Sequence, residues 1–258
     1  VNDVLAMGAE PLFFLDCYST SKLDLKVAKE VIKGIARGCK IAGCALLGGE
    51  TAEMPGFYHG SDYDIIGFAV GAVERGGIID GKKIAPTDII LGLKSSGLHS
   101  NGYSLARKII FDEQGHSPND HVPGIRIPIG RGLLKPTRIY TKIVLPIIKR
   151  FPVHGIAHIT GGGITENLAR ILPKGTSAFI DKKTWRAPTI FRFLKKRGRV
   201  SEEEMFRTFN MGIGMILVIP ARFSNEVIKA LLQKGERAIE IGRIIPARTG
   251  PKIQYSLS

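Results

Sequence analysis

Four short stretches of this sequence gather the residue types that phosphate and metal chemistry require. The first reads Asn2-Asp3-Val-Leu-Ala-Met-Gly8-Ala9-Glu10-Pro11, with a carboxylate ahead of a Gly-Ala pair. Asp3 can hold Mg²⁺ through hard oxygens while the small residues let a backbone come close. A helix N-cap explains the same Asp equally well. The second reads Leu47-Gly48-Gly49-Glu50-Thr51-Ala52-Glu53-Met54-Pro55-Gly56. As a glycine-rich loop it brings its backbone near a ligand, and Glu50 and Glu53 offer oxygens to a metal. A surface turn with solvated acids is the competing reading. The P-loop pattern is absent, so ATP held here is held by another scheme.

The third stretch, Ser95-Ser96-Gly97-Leu98-His99-Ser100-Asn101-Gly102-Tyr103-Ser104, lies between a strand end and a helix start. Backbone N–H groups at such a junction favour a phosphate. His99, the hydroxyls around it and the Asn101 amide add hydrogen bonds, although a lone histidine is also a common structural residue. The fourth, His158-Ile-Thr160-Gly161-Gly162-Gly163-Ile-Thr165-Glu166-Asn167, repeats the order strand, glycine-rich loop, helix. His154 and His158 stand ~13 Å apart on a strand rising ~3.3 Å per residue, too far to grip one ion, so a zinc site is rejected. The glycines lack the dinucleotide-binding spacing. Two anion-binding loops and two acidic loops together describe a site for Mg-nucleotide and a second phosphorylated molecule.

The elements that must position these stretches alternate between periods. Ser21-Lys-Leu-Asp24 resembles a capping box, and Leu25, Ala28, Ile32, Ile35 and Cys39 then recur every three or four residues up to Gly43. That predicts one long amphipathic helix. Residues 64–74 read as a buried strand, and 88–94, 153–159, 176–181, 214–219 and 237–245 as further strands. Helices are expected over 102–111 (capped by Ser100 or Asn101), 138–150 (broken or kinked at Pro146), 165–172 and 224–234. The class is α/β (α+β). A boundary near 76–88 gives domains 1–80 and 81–258.

Bulk composition narrows the function classes. The 258 residues are 44% apolar and 23% charged, the profile of a globular protein with an ample core, and the apolar runs are far short of a membrane span. No basic n-region opens the chain, so no signal peptide is expected. Cys17, Cys39 and Cys44 show no CxxC spacing and read as reduced thiols of a cytoplasmic protein. The net charge of +14 raises nucleic acid as a partner. Much of the excess sits in residues 182–199, where Trp185, Phe191 and Phe193 suit the apolar side of a helix whose charges are solvated. A nucleic-acid reading leaves the glycine-rich loops without a task, whereas a basic surface suits phosphorylated substrates.

Asp3-x4-Gly8-Ala9-x-Pro11 resembles the ATP-site signature of the superfamily that holds aminoimidazole ribonucleotide synthetase, formylglycinamide ribonucleotide amidotransferase, selenophosphate synthetase, thiamine-monophosphate kinase and a hydrogenase-maturation protein. Residues 10–16, 48–58, 95–105, 157–167 and Arg207-Thr-Phe-Asn210-Met-Gly212-Ile-Gly214 resemble the synthetase family specifically. The resemblance implies ATP-dependent ring closure of formylglycinamidine ribonucleotide, with ATP and Mg²⁺ as cofactors. It implies two domains, each a mixed sheet with helices packed on it, the first forming a barrel across the twofold of a homodimer. Asp3 and Glu50 would hold the metal. Asn2, Gly48, Gly49, Thr51, Ser100, Asn101, Thr160, Gly161, Gly162, Gly163 and Asn210 would contact ATP or phosphate. His99 and His158 would be catalytic. Family members begin with a glycine-rich loop, a lysine and an Asp-Gly-Val-Gly-Thr-Lys segment not found here, so this chain alone is expected to be inactive. Selenophosphate synthetase and the thiamine kinase are the rival readings. The first needs a reactive Cys or Lys motif, and the second lacks the Glu53-Met-Pro-Gly-Phe-Tyr and Thr208-Phe-Asn resemblance.

Overall fold

In the computed structural model, which describes residues 1–247, 249–250 and 252–256, the chain divides into two units. One comprises Val1–Ile78 with Ile139–Pro146, the other Ile79–Arg138 with Ile147–Ser258.

The first unit opens with a short helix, Asn2–Ala6, where the sequence suggested a loop. Gly8, at φ 81°, turns the chain into β1 (Glu10–Thr20). The helix Leu25–Ala42 follows, then β2 (Ala45–Glu53) and β3 (Tyr63–Ala72). The sheet order is β2-β1-β3, with β2 parallel and β3 antiparallel to β1. The long helix matches its periodicity, but its cap is Asp24, whose side chain accepts from the N–H groups of Lys26 and Val27. Ser21 of the supposed capping box is not the cap. The helix stops at Gly43, whose φ of 81° suits glycine and ends the helical hydrogen bonding.

Two expectations are corrected in this unit, and its membership extends past the sequence boundary. Residues 47–53 are strand rather than loop: Gly49 pairs with Asp16, and a Cβ there would lie 2.0 Å from the Asp16 carbonyl oxygen. The glycine serves close strand pairing, with a bulge at Leu47 where the register slips between Phe14 and Leu15. β3 is exposed along most of its length, not buried; Ile65, Ile66 and Phe68 are 48%, 50% and 58% accessible. Residues 139–146 join the first unit although they follow residue 80. The Tyr140 N–H donates to Asn2 Oδ1 at 3.2 Å, and Thr141 Oγ1 donates to the Ala42 carbonyl at 2.8 Å. The helix Thr141–Arg150 continues through Pro146, which forgoes one backbone hydrogen bond without ending it.

The second unit carries β4 (Ile89–Lys94), β5 (Gly155–His158), β6 (Thr176–Ile180), β7 (Ile213–Ile219), β8 (Ile239–Pro246) and β9 (Ile253–Tyr255) in the order β5-β7-β4-β8-β6-β9. Neighbours are antiparallel except β6 and β9. Every residue of β7 is buried. This follows from its unbroken apolar run, each such aliphatic side chain contributing about 1.5–3 kcal/mol on burial. The basic stretch resolves in part as expected: in the helix Thr189–Arg197, Phe191, Phe193 and Leu194 are buried while Lys195, Lys196 and Arg197 are exposed at its C-terminal end, where cations complement the helix dipole, but Trp185 lies before the helix, on extended backbone. The helix Tyr103–Arg107 is preceded by Gly102 at φ 73° and has no side-chain cap, so neither Ser100 nor Asn101 plays that part. Among the described residues no helix is long and apolar enough to cross a membrane.

Candidate active site

The acidic residues belong to the first unit. Asp3 is exposed in the first turn of the helix Asn2–Ala6. Asn2 is buried and spends its carbonyl oxygen on Tyr140. Glu50 projects from β2 opposite Cys17, and one of its oxygens accepts the Thr51 N–H at 2.8 Å. Glu53 is tied to the Leu23 N–H at 2.6 Å. Gly48, Gly49 and Thr51 lie within the strand itself. Among the described residues no three His, Cys, Asp or Glu side chains cluster so as to hold a metal by themselves. Mg²⁺ in phosphate sites commonly takes only one or two carboxylates, completed by phosphate and water oxygens, and exposed Asp3 and Glu50 have the chemistry for that.

The second unit assembles three of the sequence-predicted segments. Asn210, 1% exposed, braces residues 95–97: its Oδ1 accepts from Ser95 Oγ at 3.0 Å and from the Gly212 N–H at 2.8 Å, and its Nδ2 donates to the Gly97 carbonyl at 2.8 Å. Both ends of that amide are therefore committed to the protein. Asn101 donates to the His99 carbonyl at 2.8 Å. Its Oδ1 lies close enough to Gly161 to contact a Cβ placed there, at 3.6 Å, so the His99 loop and the triple-glycine loop are neighbours.

His99 and Ser100 both adopt left-handed backbone, φ 58° and 61°. Such a conformation costs non-glycine residues about 1–3 kcal/mol each. Hydrogen bonds hold it in place. His99 is 2% exposed, and its Nε2 accepts two backbone N–H groups, Ser96 at 2.9 Å and Arg138 at 3.3 Å. A nitrogen that accepts cannot carry the proton, so the ring is the Nδ1–H tautomer. Burial chiefly, then the nearby His158 and Arg138, lowers its pKa to about 4. His99 is thus a neutral imidazole at physiological pH.

Asn167 laces the triple-glycine loop. Its Nδ2 donates to the carbonyls of Gly161 and Gly163 at 3.1 and 2.8 Å, and Oδ1 accepts from Thr160 Oγ1 at 3.2 Å. Glu166 folds back over Gly162, where an added Cβ would meet its carboxylate oxygen at 2.5 Å. That carboxylate at the start of the helix Gly163–Ile171 suits the dipole itself, and Arg170 pairs with it at 3.5 Å. A cavity of about 290 Å³ opens beside the His99 loop, its lining including Ser95, Ser96, Gly97, Arg126, Lys135 and Thr189. His154 is separate, paired with buried Asp88 at 2.7 Å.

Arg138, Glu236 and Asn167 were not singled out as site residues by sequence. Asn167 closes the fourth motif, whose glycines are the signal that points to it. Arg138 and Glu236 sit in stretches with no motif character, and only the fold brings them to His99.

Residues 85–252 match the family described as AIR synthase related protein, C-terminal domain, and residues 1–73 match its N-terminal domain counterpart. The chain is 54% identical over 250 residues to phosphoribosylformylglycinamidine cyclo-ligase of Geotalea daltonii, covering 97% of this chain and 72% of that protein. It is 52% identical to the Geotalea uraniireducens protein of the same name, with the same coverage. Among solved structures it is similar to hydrogenase maturation protein HypE in complex with ATP (TM-score 0.71, 16% identity, 99% of this chain and 73% of that one). It is likewise similar to thiamine-monophosphate kinase from Stenotrophomonas maltophilia K279a (TM-score 0.70, 18% identity, 98% and 74%). The fold alone, being common to these proteins of different activity, does not separate them. Sequence identity above one half along almost the whole length does, and on that ground the chain belongs to the phosphoribosylformylglycinamidine cyclo-ligase (aminoimidazole ribonucleotide synthetase) family.

Proposed function

We propose that this protein closes the imidazole ring of formylglycinamidine ribonucleotide, giving aminoimidazole ribonucleotide, ADP and phosphate in purine biosynthesis. The observation that carries this reading is the 54% identity to a cyclo-ligase over 97% of the chain. The formyl oxygen is a poor leaving group; ATP supplies the phosphoryl group that converts it to phosphate, and a Mg²⁺ held by Asp3 and Glu50 would supply charge neutralisation on the phosphates. The amidine nitrogen then attacks the formyl carbon, phosphate departs with the oxygen, and a proton is lost.

The chain's own groups divide the work. Asp3 and Glu50 hold the metal. His99 presents Nδ1–H to the oxygen that gains charge, as a neutral donor rather than a base. His158 serves as the second proton-handling or phosphate-contacting group. Ser100, Asn101, Thr160 and the glycines Gly161, Gly162 and Gly163 shape the surface next to the reacting atoms. Asn2 and Asn210 act by bracing, since their amide groups already bond the protein. The glycines of β2 let Glu50 and Thr51 stand where they do. The phosphorylated ribose goes to the cavity whose lining includes Arg126 and Lys135, since two cations there suit an anion. The free cysteines suit a cytoplasmic setting.

A homodimer completes this reading. Exposed Ile66, Phe68 and Val70, at alternate positions of edge strand β3, form an apolar face of the kind that mates with another chain. Phe68→Lys is expected to lower the sedimenting mass to that of one chain; an unchanged dimer would remove β3 from the interface.

The function is tested by ADP release from ATP with and without formylglycinamidine ribonucleotide, on this chain and on one extended to the length of its relatives. Substrate-dependent release is expected from the extended protein, and Asp3→Asn in it should raise the KM for Mg-ATP at least about tenfold. ADP release indifferent to the substrate in both would sink the ligase reading in favour of a kinase of the same fold. Unchanged nucleotide affinity in Asp3→Asn would take Asp3 out of the metal site.

A further inference from the structure

His99 is held from parts of the chain far from it in sequence. The Arg138 N–H reaches Nε2 only while residues 136–138 stay beside the loop. Two further contacts tie the same segments: Ser96 Oγ donates to the Pro136 carbonyl at 2.6 Å, and the Ser100 and Thr137 hydroxyls lie 3.4 Å apart. The Arg138 side chain is the anchor. Its Nη1 donates to the Lys94 carbonyl at the end of β4, at 3.2 Å, and its Nη2 donates to Glu236 Oε2.

Glu236 is 2% exposed, against 30% for the Arg138 side chain. The end of a helix puts it there. After Ser224–Gln233, Gly235 adopts φ 76°, the Gly235 N–H bonds the Leu232 carbonyl, and the Glu236 N–H bonds that of Leu231, both at 2.9 Å. This left-handed cap turns the next side chain inward. A carboxylate buried so deeply pays heavily in lost hydration, and an apolar pair would stabilise the fold as well or better. What an apolar pair cannot do is hold a guanidinium by two arms in one orientation.

We infer that Glu236 is a positioning residue for ring closure: it fixes Arg138, whose backbone N–H helps keep His99 Nε2 as acceptor and Nδ1 as the proton-bearing atom. The inference rests on reading His99 as a reacting residue, but its geometry can be read without turnover. In the extended protein labelled with ¹⁵N-histidine, long-range ¹H–¹⁵N spectra report the tautomer of His99, identified by the signals lost in His99→Asn. The wild type is expected to show a protonated Nδ1 and a bare Nε2. Glu236→Gln should bring in the Nε2–H tautomer and lower kcat at least about tenfold, with KM values within about threefold. Arg138→Lys, which keeps the charge but loses the second arm to Lys94, should move both readouts the same way by less, and serves if Glu236→Gln does not fold. An Nε2–H ring in the wild type would overturn the proposal, as would variants whose tautomer and kcat match it. A tautomer shift in the variants of a protein that shows no ring closure at all would support the clamp and sink the ligase reading.

Discussion

Replacing His99 with alanine is expected to lower kcat by about 10²–10³-fold while changing KM for either substrate little. The size of the effect follows from where the group acts. A donor that gains strength only as negative charge builds on the reacting oxygen contributes to the transition state and not to binding. The pattern among substitutions is more telling than the size. Asparagine places an amide N–H near the position of Nδ1, glutamine nearer that of Nε2. His99→Asn should therefore retain more activity than His99→Gln or His99→Ala. Equal loss in all three variants, or a KM that rises as kcat falls, would make His99 a structural residue of its loop.

The pH dependence separates the neutral-donor role from a general base. A base with a pKa near 7 gives a falling rate as pH drops through 7. With its pKa at about 4, His99 contributes no such limb, and its share of the rate is flat above pH 6.5. The stability consequence has a definite sign. The folded pKa lies below the unfolded one, so the folded state binds fewer protons between pH 6.5 and about 4. Stability from this group is complete above pH 6.5 and is lost as pH falls through that window.

Much of the fold was legible because its signals are local. The helix over Leu25–Ala42 was read from the spacing of Leu25, Ile32, Ile35 and Cys39, and β7 from an apolar run with no polar interruption. What failed depends on partners distant in sequence. Gly48 and Gly49 looked like a loop because the reason for Gly49 is the Asp16 carbonyl across the sheet. β3 looked buried because apolar residues usually are; its face is open in a single chain. The site shows the same divide. His99 was evident from its company of hydroxyls and glycines, but its tautomer is set by the Ser96 and Arg138 backbone, and Arg138 by Glu236. No spacing rule carries that information across the 137 positions from 99 to 236. Similarly, Glu166 in the first helical turn reads as an ordinary dipole-friendly acid until its fold over Gly162 is seen.

The triple glycine gives the second large prediction, since its members serve different ends. Gly163 sits at φ 57°, and a Cβ there would lie 2.0 Å from the Phe206 carbonyl oxygen and 2.9 Å from that of Phe209. Neither obstacle is a flexible side-chain tip, so the helix Gly163–Ile171 would have to withdraw from residues 206–209. Gly163→Ala should cost roughly 3–4 kcal/mol, the sum of a strained backbone and an overpacked contact. In a unit of this size that lowers Tm by roughly 6–15 °C. Gly161→Ala provides the contrast. Its nearest neighbour would be Asn101 Oδ1 at 3.6 Å, an ordinary contact, so Tm should move by less than about 2 °C. If Gly161→Ala leaves Tm in place and lowers kcat, the open side of that glycine faces the reacting atoms, as the proposed function requires. If it leaves both unchanged, the triple glycine is a packing device throughout, and the chemistry of the second unit rests on the His99 loop. A Gly163→Ala protein as stable as the wild type would mean that the approach of the loop to Phe206 is not what fixes it.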